Sequence, residues 1–150
     1  MNNHQFDGHI VLLRGACLWI IMALILAWSL VGLYNNIEPL KVIFAGDSKR
    51  VLQAHLDFLI MSTLILGFYA TKIKLPWHVR WAMVVGAFTN SSLFMLHAIF
   101  PSTDPISSSY AANSLGTTVF KIYLYSSLIV TSYGFGKGAV CVLRSTLKTE

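Results

Sequence analysis

His55 and Asp57 lie two residues apart, just inside a long apolar run from Val51 to Thr71. Asn90 and His97 lie seven apart in a second run, Trp81 to Phe100. These residue types can do chemistry. A neutral imidazole is the commonest side-chain ligand for a metal ion, and one histidine can hold haem iron. A carboxylate can relay protons or pair with a cation. An asparagine can hold a substrate oxygen or join two helices. On insertion scales a lipid-buried Asp costs roughly 2.5–3.5 kcal/mol, so Asp57 asks for a partner.

Each candidate also has a plain structural reading. His55 could be an interfacial histidine hydrogen-bonded to a backbone carbonyl. Asp57 could form an ion pair with Lys121, which lies at similar depth. Its alternative is an active role, although one embedded acid is thin for a proton pump. His97 reads as interfacial. Tyr123, Tyr125 and Tyr133 read as packing or belt residues, Met61 as packing, and Cys17 and Cys141 as reduced packing residues. Gly134 and Gly138 form a G-x-x-x-G that would let another helix approach closely. The chain has no Walker loop, G-x-S-x-G, H-E-x-x-H or G-x-G-x-x-G fingerprint.

The elements that must position these residues are legible in composition. The 150 residues are 55% hydrophobic and 11% charged, where soluble domains carry about 25% charged. Four apolar runs, at about 12–34, 51–71, 79–100 and 115–143, are long enough to cross a bilayer. All four prolines fall between them. The expected fold is an all-α integral membrane protein. Residues 1–150 form a single domain of four transmembrane helices in an up-down bundle that oligomerises. The first run is too long for a signal h-region and is expected to be retained. The net charge of +5 is spread between the runs, where it sets topology. It therefore does not point to nucleic acid. Arg14, Lys72, Lys74, Arg80, Lys137, Arg144 and Lys148 face Lys41, Lys49 and Arg50 across the four spans. That bias places both termini in the cytoplasm.

Depth and phase sharpen the picture. At 1.5 Å per residue, His55 lies ~6 Å, Asp57 ~9 Å, His97 ~5 Å, Asn90 ~15 Å and Lys121 ~8 Å from one membrane surface. The ionisable groups well inside spans thus fall in one leaflet. His55 and Asp57 point about 200° apart around their helix. They face different neighbours. Asn90, Ser91 and Ser92 make a polar step near mid-membrane, expected to meet a partner helix or a cavity.

The stretch Ala54–His55–Leu56–Asp57, entered from the basic Lys49–Arg50, resembles the second helix of a family of small four-helix membrane enzymes. These are the enzymes related to styrene oxide isomerase and hydroxylaminobenzene mutase. The stretch Trp81–Ala82–Met83–Val84–Val85–Gly86–Ala87–Phe88–Thr89–Asn90 resembles their third helix. The resemblance covers spans two and three; spans one and four match in hydropathy alone. It implies haem b held between neighbouring copies of a trimer, with His55 as the iron ligand and Asn90 near the pocket. Asp57 would be the companion of His55, facing its own bundle. It also implies iron acting as a Lewis acid on a small apolar substrate of epoxide or arylhydroxylamine type, drawn from the lipid of a bacterial-type inner membrane. Two positions depart from the family pattern. Met61 stands where the family has Asn, and Phe94 where the isomerase has Tyr. Both bear on the reaction more than on haem binding. The alternative is a non-enzymatic membrane subunit or haem sensor whose buried polar residues hold helices together. A small transporter ranks third, since broken helices are absent from the pattern.

Overall fold

The computed structural model describes residues 9–147, and every regular element in them is helical. The long helices are α1 (Ile10–Tyr34), α3 (Ser48–Ala70), α4 (Trp77–Ile99) and α5 (Leu115–Thr146), with a short α2 (Glu38–Ile43) after α1. A 3-10 turn, Pro101–Thr103, follows α4. All four long helices are long and apolar enough to cross a membrane. Their outer faces support that reading. Leu18, Ile21, Leu24 and Ile25 on α1, and Leu52, Leu56, Ile60 and Leu64 on α3, are all exposed. A water-soluble chain rarely shows such continuous apolar stripes; hydrocarbon accommodates them.

Helix ends follow local chemistry. Asp47 caps α3 by accepting from Lys49 N at 2.9 Å, and Ser114 caps α5 by accepting from Thr117 N at 3.1 Å. Pro76 precedes α4, and Pro101 opens the 3-10 turn that stops it. α3 begins three residues before its apolar run because the Asp47 cap adds a polar first turn, and α4 begins two residues before its run, directly after Pro76. Helix α2 is too short for hydrophobic periodicity to reveal.

α1 packs on α3, α3 on α4 and α4 on α5, with a further α1–α4 contact. α5 meets mainly α4 and the 3-10 turn. The core has two clusters. One joins Leu12, Ala16, Ile65, Leu75, Val79, Met83, Val84 and Ala87. The other joins Ala23, Leu26, Leu30, Val51, Ala54, Phe58 and Ala98. Trp19 packs against both. Its Nε1 donates to Val84 O at 3.1 Å, and its ring lies 4.8 Å from Phe88, centroid to centroid.

Small residues decide how closely α5 can approach α4. A Cβ at Gly134 would lie 2.7 Å from Met83 N, and one at Gly86 would lie 2.8 Å from Thr131 Cα. The two backbones touch, as small-residue seams in membranes allow. The G-x-x-x-G therefore works within the chain: Gly134 meets α4, and Gly138 meets the Met83 and Phe68 side chains.

Candidate functional site

α3 aims its two polar residues at different helices. Its buried face runs through Val51, Ala54, Phe58, Ser62 and Ile65. His55 lies on one flank of that face and Asp57 on the other. His55 Nδ1 lies 2.8 Å from Ala23 O of α1. A carbonyl oxygen can only accept, so Nδ1 carries the proton. The neutral ring then keeps a lone pair on Nε2. This is the bond expected of a purely structural histidine. It is also the bond that ligand histidines make, because it fixes tautomer and ring orientation. The ring is half-buried, and its neighbours Leu52 and Leu56 are exposed.

Asp57 faces α4. Asn90 Nδ2 donates to Asp57 Oδ2 at 3.0 Å, and both residues are half-buried. The ion pair considered for Asp57 is absent: Lys121 is exposed, and no salt bridge joins them among the described residues. A neutral amide thus takes the place of the expected cation. Asp57 and Asn90 come together, while His55 stays apart against α1.

The polar step around Asn90 is mostly spent on helix pairing. Ser92 Oγ lies 2.7 Å from Tyr123 OH, Ser127 Oγ donates to Thr89 Oγ1 at 3.0 Å, and Thr131 Oγ1 donates to Gly86 O at 2.9 Å. Tyr133 OH meets His78 Nδ1 at 2.8 Å. Tyr123 and Tyr133 thereby join α5 to α4, while Tyr125 is exposed. Ser91 is fully buried, and its Oγ has no partner. Met61 and Phe94, the two departures from the family pattern, pack against the core clusters. Cys141 is half-buried and Cys17 is exposed; both are free.

Reading the chain alone missed one polar cluster. Arg50 and Asp104 form a bidentate ion pair, with Nε–Oδ2 and Nη2–Oδ1 both at 2.6 Å. Their side chains are only 14% and 6% exposed, so the pair is largely shielded from solvent. The Arg50 guanidinium holds the Asp104 carboxyl below the usual carboxylate range, against the opposing effect of burial. The signal was present: Lys49–Arg50 is a basic pair on the side expected to be poor in cations. Arg50 is neutralised there by Asp104, and Lys41 by Glu38 at 3.0 Å. His97 is buried beside this cluster rather than at an open interface. Its Nδ1 meets Thr103 Oγ1 at 3.1 Å, and its ring lies tilted against Phe120, 4.3 Å centroid to centroid.

Cavities lie elsewhere. One of about 420 Å³ is polar, lined by Lys49, Arg50, Gln53, His97 and Asp104 among others. Another, of about 500 Å³, is apolar and lies between the end of α4 and the start of α5. A third, of about 430 Å³, runs along α1. His55, Asp57 and Asn90 line none of these three. No cluster of three or more His, Cys, Asp or Glu side chains could cage a metal ion among the described residues. A histidine-held haem needs no such cage.

No family model, curated protein or solved structure matches the chain.

Proposed function

We propose that this is a haem b-binding membrane protein of the isomerase or mutase type, with His55 as the iron ligand. The observation that carries the reading is the His55 Nδ1–Ala23 O bond. It leaves Nε2 as the one free nitrogen of a ring held by backbone, among exposed leucines that suit an apolar macrocycle. The residues present fit the group. Because His55 lies on an open helix face, a second copy of the chain would have to cover it, and a trimer is the expected assembly. The four helices then cross a bacterial-type inner membrane up and down, with both termini in the cytoplasm.

Bound haem iron would supply Lewis acidity toward an oxygen of a small apolar substrate. The chain's own residues do the rest. His55 holds its ring in one tautomer. Asp57 orients the Asn90 amide through Nδ2, leaving its second N–H to donate to a substrate oxygen and Asn90 Oδ1 to accept from a hydroxylamine N–H or O–H. The apolar helix faces exclude water and admit substrate from lipid. The test is turnover of an epoxide and an arylhydroxylamine by haem-loaded protein. Rearrangement of either, lost in Asn90→Ala with haem retained, supports the reading. Haem-loaded protein inactive on both removes the enzyme claim.

A second reading has an observation of its own. Asp57 and Asn90 satisfy each other, as helix glue in a non-enzymatic subunit or haem sensor would.

A further inference from the structure

Among the described residues, one end of the bundle carries a single sign of charge. It is the end where α1 and α4 begin and where the first core cluster draws in Tyr69 of α3 and Cys141 of α5. The described segments there (9–17, 66–80 and 136–147) contain Arg14, Lys72, Lys74, Arg80, Lys137 and Arg144, and no Asp or Glu. The other end is balanced: Glu38 pairs with Lys41 and Asp104 with Arg50. The first end therefore lacks counterions of its own among the described residues.

Two buried nitrogens there have no partner. His9 Nδ1 and Arg80 Nε are both shielded from solvent and make no hydrogen bond. Leaving a buried donor unmade is costly, more so on a charged group. Leu12 of α1 shares a core cluster with Leu75 and Val79, which flank the start of α4, so the first turns of these helices meet here. The His9 ring stands edge-on to Tyr69 at 6.3 Å. Burial, then the positive fields of Arg80 and Lys74, holds His9 below the ordinary histidine value. His9 feels both cations, and no acid among the described residues offsets them.

We propose that His9, Lys74 and Arg80 form a binding site for the phosphate headgroup of an anionic phospholipid. A phosphodiester brings acceptor oxygens for the Arg80 guanidinium and the Lys74 ammonium, and for His9 Nδ1 in the tautomer that carries its proton there, together with negative charge for the two cations. Guanidinium groups suit phosphate, and basic pockets between membrane helices take such headgroups. Trp77, 69% exposed at the start of α4, is an interfacial aromatic that places the site at headgroup level. That position favours lipid over a dissolved anion.

The test is native mass spectrometry of the full chain released from detergent. The probes are phosphatidylglycerol and phosphatidylcholine of equal acyl chains, with inorganic phosphate as competitor. Phosphatidylglycerol should bind at least about fivefold more tightly than phosphatidylcholine. Lys74→Gln should weaken it about fivefold, and Lys74→Gln with Arg80→Gln about 25-fold, from roughly one such factor per charge near the membrane surface. Lys137→Gln, a cation of the same end that does not act on His9, should cost clearly less than Lys74→Gln, because a charge outside the site is screened. Lys74 is exposed, so its variant carries the test if Arg80→Gln fails to fold. Equal binding of the two lipids would overturn the proposal, as would equal effects of Lys74→Gln and Lys137→Gln. Complete displacement by millimolar phosphate would make this a free-anion site and overturn it too.

Discussion

At the scale of residues, the point that matters is how His55 and Asp57 divide their partners. Their spacing alone sends them to different helices, and the structure names those helices as α1 and α4. The identity of the partners was not legible. Nothing in sequence marks the Ala23 carbonyl as an acceptor, and Lys121 competed with Asn90 for Asp57 on depth alone. Geometry favours the amide because Asn90 lies on the α4 flank facing Asp57, whereas Lys121 is exposed on α5. Two readings of the Asp57–Asn90 pair make different predictions. Asp57→Ala should destabilise the fold by about 1–3 kcal/mol, since it strands the Asn90 donor. The double variant Asp57→Leu/Asn90→Leu should recover most of that loss, as measured by thermal unfolding in detergent. If the pair is part of an active site, the recovered variant should still be inactive. A recovered and fully active variant would reduce the pair to helix glue.

At the scale of elements, proline or cap chemistry marks the starts of α3, α4 and α5, while the packing of α5 was not legible. The G-x-x-x-G was visible, but a G-x-x-x-G can serve an intramolecular or an intermolecular contact. Gly134 against the Met83 backbone settles which. Gly134→Leu should push α5 off α4 and cost at least the about 1–3 kcal/mol typical of overpacked cores. Helical circular dichroism with temperature would measure it; an unchanged midpoint would contradict the close contact. The Arg50–Asp104 pair was illegible because its members are 54 positions apart and Asp104 sits in a loop without periodicity. It ties the first turn of α3 to the segment after the 3-10 turn. The folded carboxyl is lowered in pKa. Its stabilisation is therefore fully present above the ordinary Asp value of about 3.9 and is lost as pH falls through the lower folded value. The stability gap between the parent and Asp104→Asn should hold constant from about pH 7 to 5 and shrink below about pH 4. A gap that grows on acidification would contradict the assignment. Removing one partner at neutral pH should cost about 3–5 kcal/mol.

At the scale of the whole molecule, composition was enough to predict a helical membrane protein, because so few charges and such long apolar runs suit no soluble core. Depth arithmetic also placed the embedded polar groups near one end. It could not separate them into an α1-facing histidine, an α3–α4 pair and a buried clasp around Asp104, because that sorting depends on tertiary packing. The charge bias across the ends was legible too. Of its seven cations, Lys148 lies outside the described residues; the other six stand without acids among those described. An assembly in which one copy covers the His55 face of the next should appear as a trimer when the haem-loaded protein is weighed in detergent. A monomer that still binds haem tightly would contradict the covering role. Ligation of haem iron by His55 Nε2, as proposed, is read most directly from the absorption spectrum of purified protein supplied with haem. The parent should show a Soret band that is lost in His55→Gly and restored by added imidazole, because imidazole replaces the missing ligand without repairing any structural role. A colourless parent protein, or a His55→Gly variant that takes up haem as well as the parent does, would contradict it.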